Sequence, residues 1–442
     1  MDTIIRCAII LSAHNGYEPF VGDVGIEGGR IARVSGGKLP GRYAREIDAS
    51  GKILMPGLVN GHCHGDMTLM RGAGDGMTLL EQQREFDGHE WFRGYLSDED
   101  RMHSRMLTYC EALLSGTTFI LENMYWGLGD GSQRAMAQIG IRGALAEDIR
   151  TDFLDSDNLL SDDQLECFRR RCDEFGIIPV IASVAEEDFE PARLRSIAEK
   201  TRRSGMLKTC HLAETEWRLD TVREKFGTTP VRMLADHGLL ENMICSHAVH
   251  VDDDEIPLLA AAGARVVNTP SCEMKIADGI APIPKFRAAG VPVGLGTDGA
   301  LWNNSNDLFG EMKCMVLLHT INSGIRTFGP KDALDMATID GARAFGMERD
   351  IGTIEEGKLA DMILIDATPP HMTPLRTGAL ENVASCVVFC ATGADVTDVF
   401  VGGRHVVQSR AVTTADVPAL CRRVNEISRT VAEKSSRPRG VI

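Results

Sequence analysis

Ile53-Leu54-Met55-Pro56-Gly57-Leu58-Val59-Asn60-Gly61-His62-Cys63-His64 is a short apolar run that ends in two imidazoles at i and i+2. Side chains on a strand repeat every two residues, so His62 and His64 leave it on one face, spaced to grip one metal ion. Alone, a His-x-His pair is a modest signal, because exposed strands carry such pairs by chance. Three later segments supply the remaining parts of a hydrolytic metal site: His211-Leu212-Ala213-Glu214, Ser246-His247-Ala248-Val249-His250 and Gly296-Thr297-Asp298-Gly299. The chain reads as an enzyme.

Working outward, β-rich runs such as Thr117-Thr118-Phe119-Ile120-Leu121, Ile177-Ile178-Pro179-Val180-Ile181 and Ala264-Arg265-Val266-Val267 alternate with helical patterns over 191–203, 253–262 and 284–289. Strands alternating with helices across roughly 300 residues predict a parallel sheet, and a (β/α)₈ TIM barrel over 56–350 fits the length. Both flanks read as short strands with glycine turns. Asp23 to Val34 has a hairpin pattern around Gly28-Gly29, and Thr397 to Val407 has another around Gly402-Gly403. Residues 1–55 and 351–442 are therefore expected to form one small β-sandwich domain built from both chain ends.

The chain has 442 residues, 43% hydrophobic, and carries a net charge of −16. A nucleic-acid or anionic-membrane surface needs a positive field, so neither partner is expected. Twelve scattered cysteines without a Cys-x-x-Cys pair predict reduced thiols in a cytoplasmic protein. No segment approaches the roughly 20 apolar residues that span a bilayer.

In a barrel, strand C-termini converge on one face, so residues distant in sequence meet there. His62, His64, His211 and Asp298 each fall where a strand should end. Three histidines and a carboxylate suit one divalent ion such as Zn²⁺, with a position open for water; Fe²⁺ or Mn²⁺ accept the same set. Glu214, three residues after His211, is placed to pass a proton to a ring nitrogen. His247 is placed to orient an attacking hydroxide. Each also has a plain alternative: a turn residue for Asp298, a helix N-terminal charge for Glu214, a core histidine for His247 or His250. The combination, in this order and at these strand ends, favours the site. His250 stays with the core reading.

These motifs, together with Met67-Thr68-Leu69-Met70-Arg71-Gly72, Asn303-Asn304-Ser305 and the closing Gly357-Lys358-Leu359-Ala360-Asp361, resemble the amidohydrolase superfamily in its cytosine deaminase/chlorohydrolase branch. The resemblance implies one metal on His62, His64, His211 and Asp298, with Asp298 also receiving a proton from the attacking water. It implies Glu214 as the acid toward the ring and His247 beside the hydroxide, and it suggests a homo-oligomer. The binuclear branch carries a lysine on a middle strand; 117–126 and 177–185 contain none, which favours one metal. Met274 to Pro282 resembles S-adenosylhomocysteine/5′-methylthioadenosine deaminases. Two departures stand against that assignment: Ala185-Glu186-Glu187 where those enzymes have a Pro-His pair, and Glu147 or Asp148 where some carry an arginine for the amino-acid carboxylate.

An acidic lining repels a carboxylate and accepts hydrogen bonds from an amino-substituted ring. The expected reaction is hydrolytic deamination of a small aminated heterocycle without a negative tail, releasing ammonia. The alternatives are an S-adenosylhomocysteine/5′-methylthioadenosine deaminase, a triazine chlorohydrolase or alkylamine hydrolase, and a non-catalytic metal-stabilised binding protein. Gln83, Trp91, Glu122, Trp126 and Trp302 are candidate substrate contacts, with loop packing as the competing role for each.

Overall fold

In the computed structural model, residues 2–86, 95–123, 129–151 and 158–435 are described. The N-terminal segment lays down β1 (Thr3–Ile10), β2 (Phe20–Glu27), β3 (Arg30–Ser35), β4 (Arg45–Asp48) and β5 (Lys52–Pro56). Eight parallel strands follow: β6 (Leu58–His64), β7 (Thr117–Asn123), β8 (Arg142–Asp148), β9 (Ile178–Ala185), β10 (Leu207–Leu212), β11 (Met243–His247), β12 (Arg265–Asn268) and β13 (Val293–Leu295). Each pairs with the next, and β13 returns to β6 through Leu295 and Asn60, closing the predicted barrel. The short β14 (Asp298–Gly299) prolongs the eighth strand beside Cys63 and His64.

Period-two alternation sorts the barrel strands. Phe119, Leu121, Ala144, Ala146, Val180, Ala182, Ile244 and Val267 fill the interior, while Ile120, Leu145, Ile181, Cys210 and Cys245 face the surrounding helices. The helices begin where local chemistry satisfies their first N–H groups: Ser97 with Asp100 and Ser161 with Gln164 form capping boxes at Asp98–Leu114 and Asp162–Glu174. The predicted helices appear as Leu194–Ser204, Ile256–Ala261 and Ile283–Ala288.

After the barrel, β15 (Met362–Asp366), β16 (Val396–Val401), β17 (Arg404–Gln408) and β18 (Ala411–Val412) join β1–β5 in one nine-stranded mixed sheet. Its alternation buries two faces. Ile53, Met55, Ile363 and Ile365 pack toward the barrel, whereas Leu54, Met362, Leu364 and Phe400 share a separate core with Ile5, Val24 and Ile26. The sheet folds back on itself: Ala360 N–H donates to Gly29 and Gly403 N–H to Ala360, so the two predicted hairpin turns meet. The closing motif joins sheet to barrel. Asp361 is buried and takes Arg142 Nε at 2.8 Å from the start of β8.

The last helix, Val417–Ser435, leaves that sheet. It lays Leu420, Val424, Ile427 and Val431 against barrel helix Asp98–Leu114, with Arg423 bonded to Asp100 at 3.0 Å. No helix among the described residues is long and apolar enough to cross a membrane, and none of the twelve cysteines is in a disulfide.

Candidate metal centre and active site

The barrel brings the four expected ligands together at the C-terminal ends of β6, β10 and the eighth strand. His62 Nε2 and His64 Nε2 are 3.1 Å apart, and His64 Nε2 and His211 Nε2 3.3 Å. Asp298 Oδ1 lies 3.5 Å from His62 Nε2 and 3.3 Å from His64 Nε2. Zinc bonds of about 2.0–2.1 Å at tetrahedral angles place ligand atoms about 3.3–3.4 Å apart, close to these four spacings. His62, His64 and Asp298 form one group that could hold an ion, and His211 joins His62 and His247 in a second that shares His62. All four side chains are buried.

Backbone geometry serves the cage. Gly296 passes so close to β6 that an added Cβ would sit 2.8 Å from His62 Cβ and 2.9 Å from its N and O. Only glycine lets the eighth strand approach there. Ala213, His247, Ala248 and Asp298 have φ of 48°, 67°, 54° and 60°, a left-handed conformation costing about 1–3 kcal/mol each in residues other than glycine. Four of the twelve such residues among the described ones therefore border the site; the others lie elsewhere in the chain.

Neighbours orient the expected ligands. Ser246 Oγ and Asn123 Nδ2 lie 2.8 and 2.7 Å from His62 Nδ1, leaving Nε2 turned to the cage. Burial, aided by the neighbouring imidazoles, holds His211 well below its ordinary proton affinity, as a neutral ligand requires. Burial alone would raise Asp298; the facing His62, His64 and His247 instead hold it well below the usual carboxylate range. Cys272 Sγ is 2.9 Å from Asp298 Oδ2.

Glu214 and His247 border the cage as a pair, with Glu214 Oε1 3.6 Å from His247 Nε2. The His247 ring stacks on His211 at 5.4 Å, a proximity set by the register that places Leu212 beside His247. On its other side, Nδ1 is 3.0 Å from Thr269 Oγ1 and 3.6 Å from Glu273 Oε1. Burial pulls the imidazolium down, but Glu214, Glu273 and Asp298 outweigh it and raise His247 to about 9.

The expected substrate contacts have different surroundings. Trp302 meets His64 edge-on at 5.3 Å and packs among Met67, Met70 and Leu301. Glu122 is fully buried and points away from the barrel interior. It accepts from Gly65 N–H at 2.9 Å and Tyr109 Oη at 3.1 Å, and so fixes the turn after His64. Gln83 is half-buried on helix Leu79–Glu85. Trp91 and Trp126 lie outside the described residues. Of the two acids on β8, alternation gives the interior face to Asp148, which Arg150 bonds through Nε at 3.0 Å and Nη2 at 2.8 Å.

Four residues here escaped the sequence reading: Arg218, Glu187, Glu273 and Asp278. Arg218 Nη1 donates to Glu214 Oε2, and its Nε lies 2.9 Å from Glu187 Oε1. Glu273 bonds Asn268 Nδ2 and Thr269 N–H behind His247. Asp278 is 8% exposed with Oδ2 unbonded; burial and the nearby Glu214 push it up to about 9. For Arg218 the available signal was the i, i+4 spacing to Glu214 across the start of a helix; Glu187 and Asp278 lie in stretches that the sequence reading quoted without giving either residue a role.

Known proteins share this architecture. The amidohydrolase family's sequence model matches residues 53–406. A 5-methylthioadenosine/S-adenosylhomocysteine deaminase of Desulforudis audaxviator is 32% identical over 441 residues, covering 98% of this chain and 100% of its own. A 5′-deoxyadenosine deaminase of Methanosarcina acetivorans is 33% identical over 450 residues, 98% of either chain. Among solved structures, an adenosine deaminase from Xanthomonas campestris with bound zinc superposes with a TM-score of 0.87 at 26% identity, covering 98% of this chain and 99% of its own. A family match spanning most of the chain, relatives aligned end to end and a shared fold make this protein a member of the amidohydrolase family.

Proposed function

We propose that this protein hydrolytically deaminates an adenine-like ring, with one zinc ion on His62, His64, His211 and Asp298 and with Glu214 and His247 as proton carriers. It is a hydrolase of C–N bonds other than peptide bonds. The observation that carries the reading is the carboxylate–imidazole pair Glu214–His247, 3.6 Å apart and outside the four-ligand set, on the border of a cage whose spacings suit one ion. An ion bound there supplies hydroxide near neutral pH.

Asp298 receives the proton given up by the attacking water. Glu214 carries a proton on Oε1, the oxygen facing His247, to the ring nitrogen beside the exocyclic amine. His247, flanked by Glu214 and Glu273, keeps its Nε2 proton and donates it as a hydrogen bond to the oxygen added to the ring carbon. The carbon–nitrogen bond then breaks: Asp298 passes its proton to the exocyclic amine, which leaves as ammonia, and the added hydroxyl gives its proton to Glu214, which restores both carboxyls. A departing amine needs a proton where chloride does not, so these proton carriers favour deamination over dechlorination.

The names of the relatives support an adenine-like ring. The charge arrangement supports a substrate without a carboxylate tail. Arg150 is paired with Asp148, and Arg218 with Glu214 and Glu187. Asp278 adds a buried carboxyl with a free oxygen near Glu214, suited to an N–H of the substrate. We further place the enzyme in the cytoplasm. A homo-oligomer is supported by exposed Leu317, Ile321 and Ile325 on and just after helix Leu308–Ser323.

The test is ammonia release by metal-replete protein across aminated purines, nucleosides, pyrimidines, pterins and triazines. Turnover of adenine-type rings is expected. Silence across the panel with the metal site filled, or chloride release without ammonia, overturns the reading.

A further inference from the structure

Arg218 is 4% exposed, inside the helix Glu216–Phe226 that follows β10. A buried guanidinium is costly to desolvate unless each edge finds a partner, and here the partners are informative. Nη1 donates to Glu214 Oε2, while Nε lies 2.9 Å from Glu187 Oε1. Glu187 sits in the turn after β9, and that turn is bonded to β10 separately: Ala213 N–H donates to Glu186 Oε1 at 2.7 Å. The residue before Glu214 and its side chain are therefore both tied to the neighbouring strand end. The indole of Trp217 lies under the guanidinium, 5.5 Å from its carbon.

With Oε2 taken by Arg218, Glu214 has one oxygen left, and it faces His247 Nε2 at 3.6 Å. We propose that Arg218 is the positioning residue for Glu214: its planar fork, braced on Glu187, selects the rotamer that aims Oε1 at His247 and the cage. The inference rests on the role assigned to Glu214 above. The Nη1 contact with Glu214 is a directional hydrogen bond and the Nε contact with Glu187 an ion pair. A planar guanidinium spans both acids at once, and an ammonium on a flexible stem does not.

The test compares wild type, Arg218→Met and Arg218→Lys as metal-replete holoenzymes, using the best ring found in the ammonia panel and rates normalised to bound metal. Misplacement of a reacting group by about 1 Å costs up to about 100-fold. Arg218→Met should therefore lose about 10- to 100-fold in kcat with KM kept within about threefold. Arg218→Lys should fall between the two, because it restores the charge on Glu214 but not the brace on Glu187.

Three results overturn the proposal: kcat of Arg218→Met within about threefold of wild type, a loss confined to KM, or Arg218→Lys no better than Arg218→Met. Should Arg218→Met not fold, Arg218→Lys carries the test alone. A kcat at least about threefold down with KM kept supports the proposal, and a wild-type kcat overturns it. Wild-type silence on every ring counts against the proposed function instead. Wild-type turnover lost in Glu214→Gln but kept in Arg218→Met counts against this inference only.

Discussion

Glu214→Gln isolates the proton-carrying role, because it keeps the length of the side chain and changes one group. The amide oxygen still accepts from Arg218, but no proton can be carried to a ring nitrogen. General acid–base transfer is worth about 10²–10⁴ in rate, or about 3–5 kcal/mol at 1.36 kcal/mol per tenfold. Stability should suffer less. Arg218 keeps Glu187 at 2.9 Å, so one charged hydrogen bond weakens, at about 1–3 kcal/mol. The assay is ammonia release at saturating substrate, expressed per bound metal, beside metal content by mass spectrometry. The expected result is kcat down at least about 100-fold with metal retained. A kcat within about threefold of wild type refutes the reasoning. So does metal lost in step with activity, since that would put Glu214 among the ligands.

Three further outcomes follow from the same geometry. Asp298→Ala or His211→Ala removes one donor from the cage, so bound metal should fall well below one ion per chain while far-UV circular dichroism stays native; full occupancy would count against the ligand set. Burial holds His319 at about 4 against about 6.5 when unfolded, so its native form is neutral, and the stability it supplies is complete above pH 6.5 and is lost as pH falls toward 4, by about 3 kcal/mol in all. His319→Leu should therefore show a smaller fall in Tm between pH 7 and pH 5 than wild type, and an equal fall would sink the argument. Gly296→Ala forces a methyl to within 2.8–2.9 Å of His62 and should cost about 1–3 kcal/mol with weakened metal binding; wild-type Tm and metal affinity would show that the strands part freely.

The local periods of this chain determined a good deal. Strand alternation put His62 and His64 on one face, and strand-end positions announced His211, His247 and Asp298. Alternating strands and helices then required a closed parallel sheet. These properties are local, since a residue's face depends only on its neighbours in sequence. Contacts across the closed barrel were not legible in that way. Alternation along β8 turns Asp148 inward, but only the fold showed that Arg150 neutralises it there. It likewise took the β9–β10 pairing to bring Glu187 to Arg218, and Arg218 to Glu214. For Glu122 the strand-end place suggested the pocket while the same alternation turns it outward; only the fold supplied its partners there, Gly65 and Tyr109. The C-terminal helix was not read from the sequence, and the folded chain packs its Leu420, Val424, Ile427 and Val431 toward helix Asp98–Leu114. Period encodes which face a side chain takes; which partner waits on that face is set by strand register and barrel closure, which no local stretch contains.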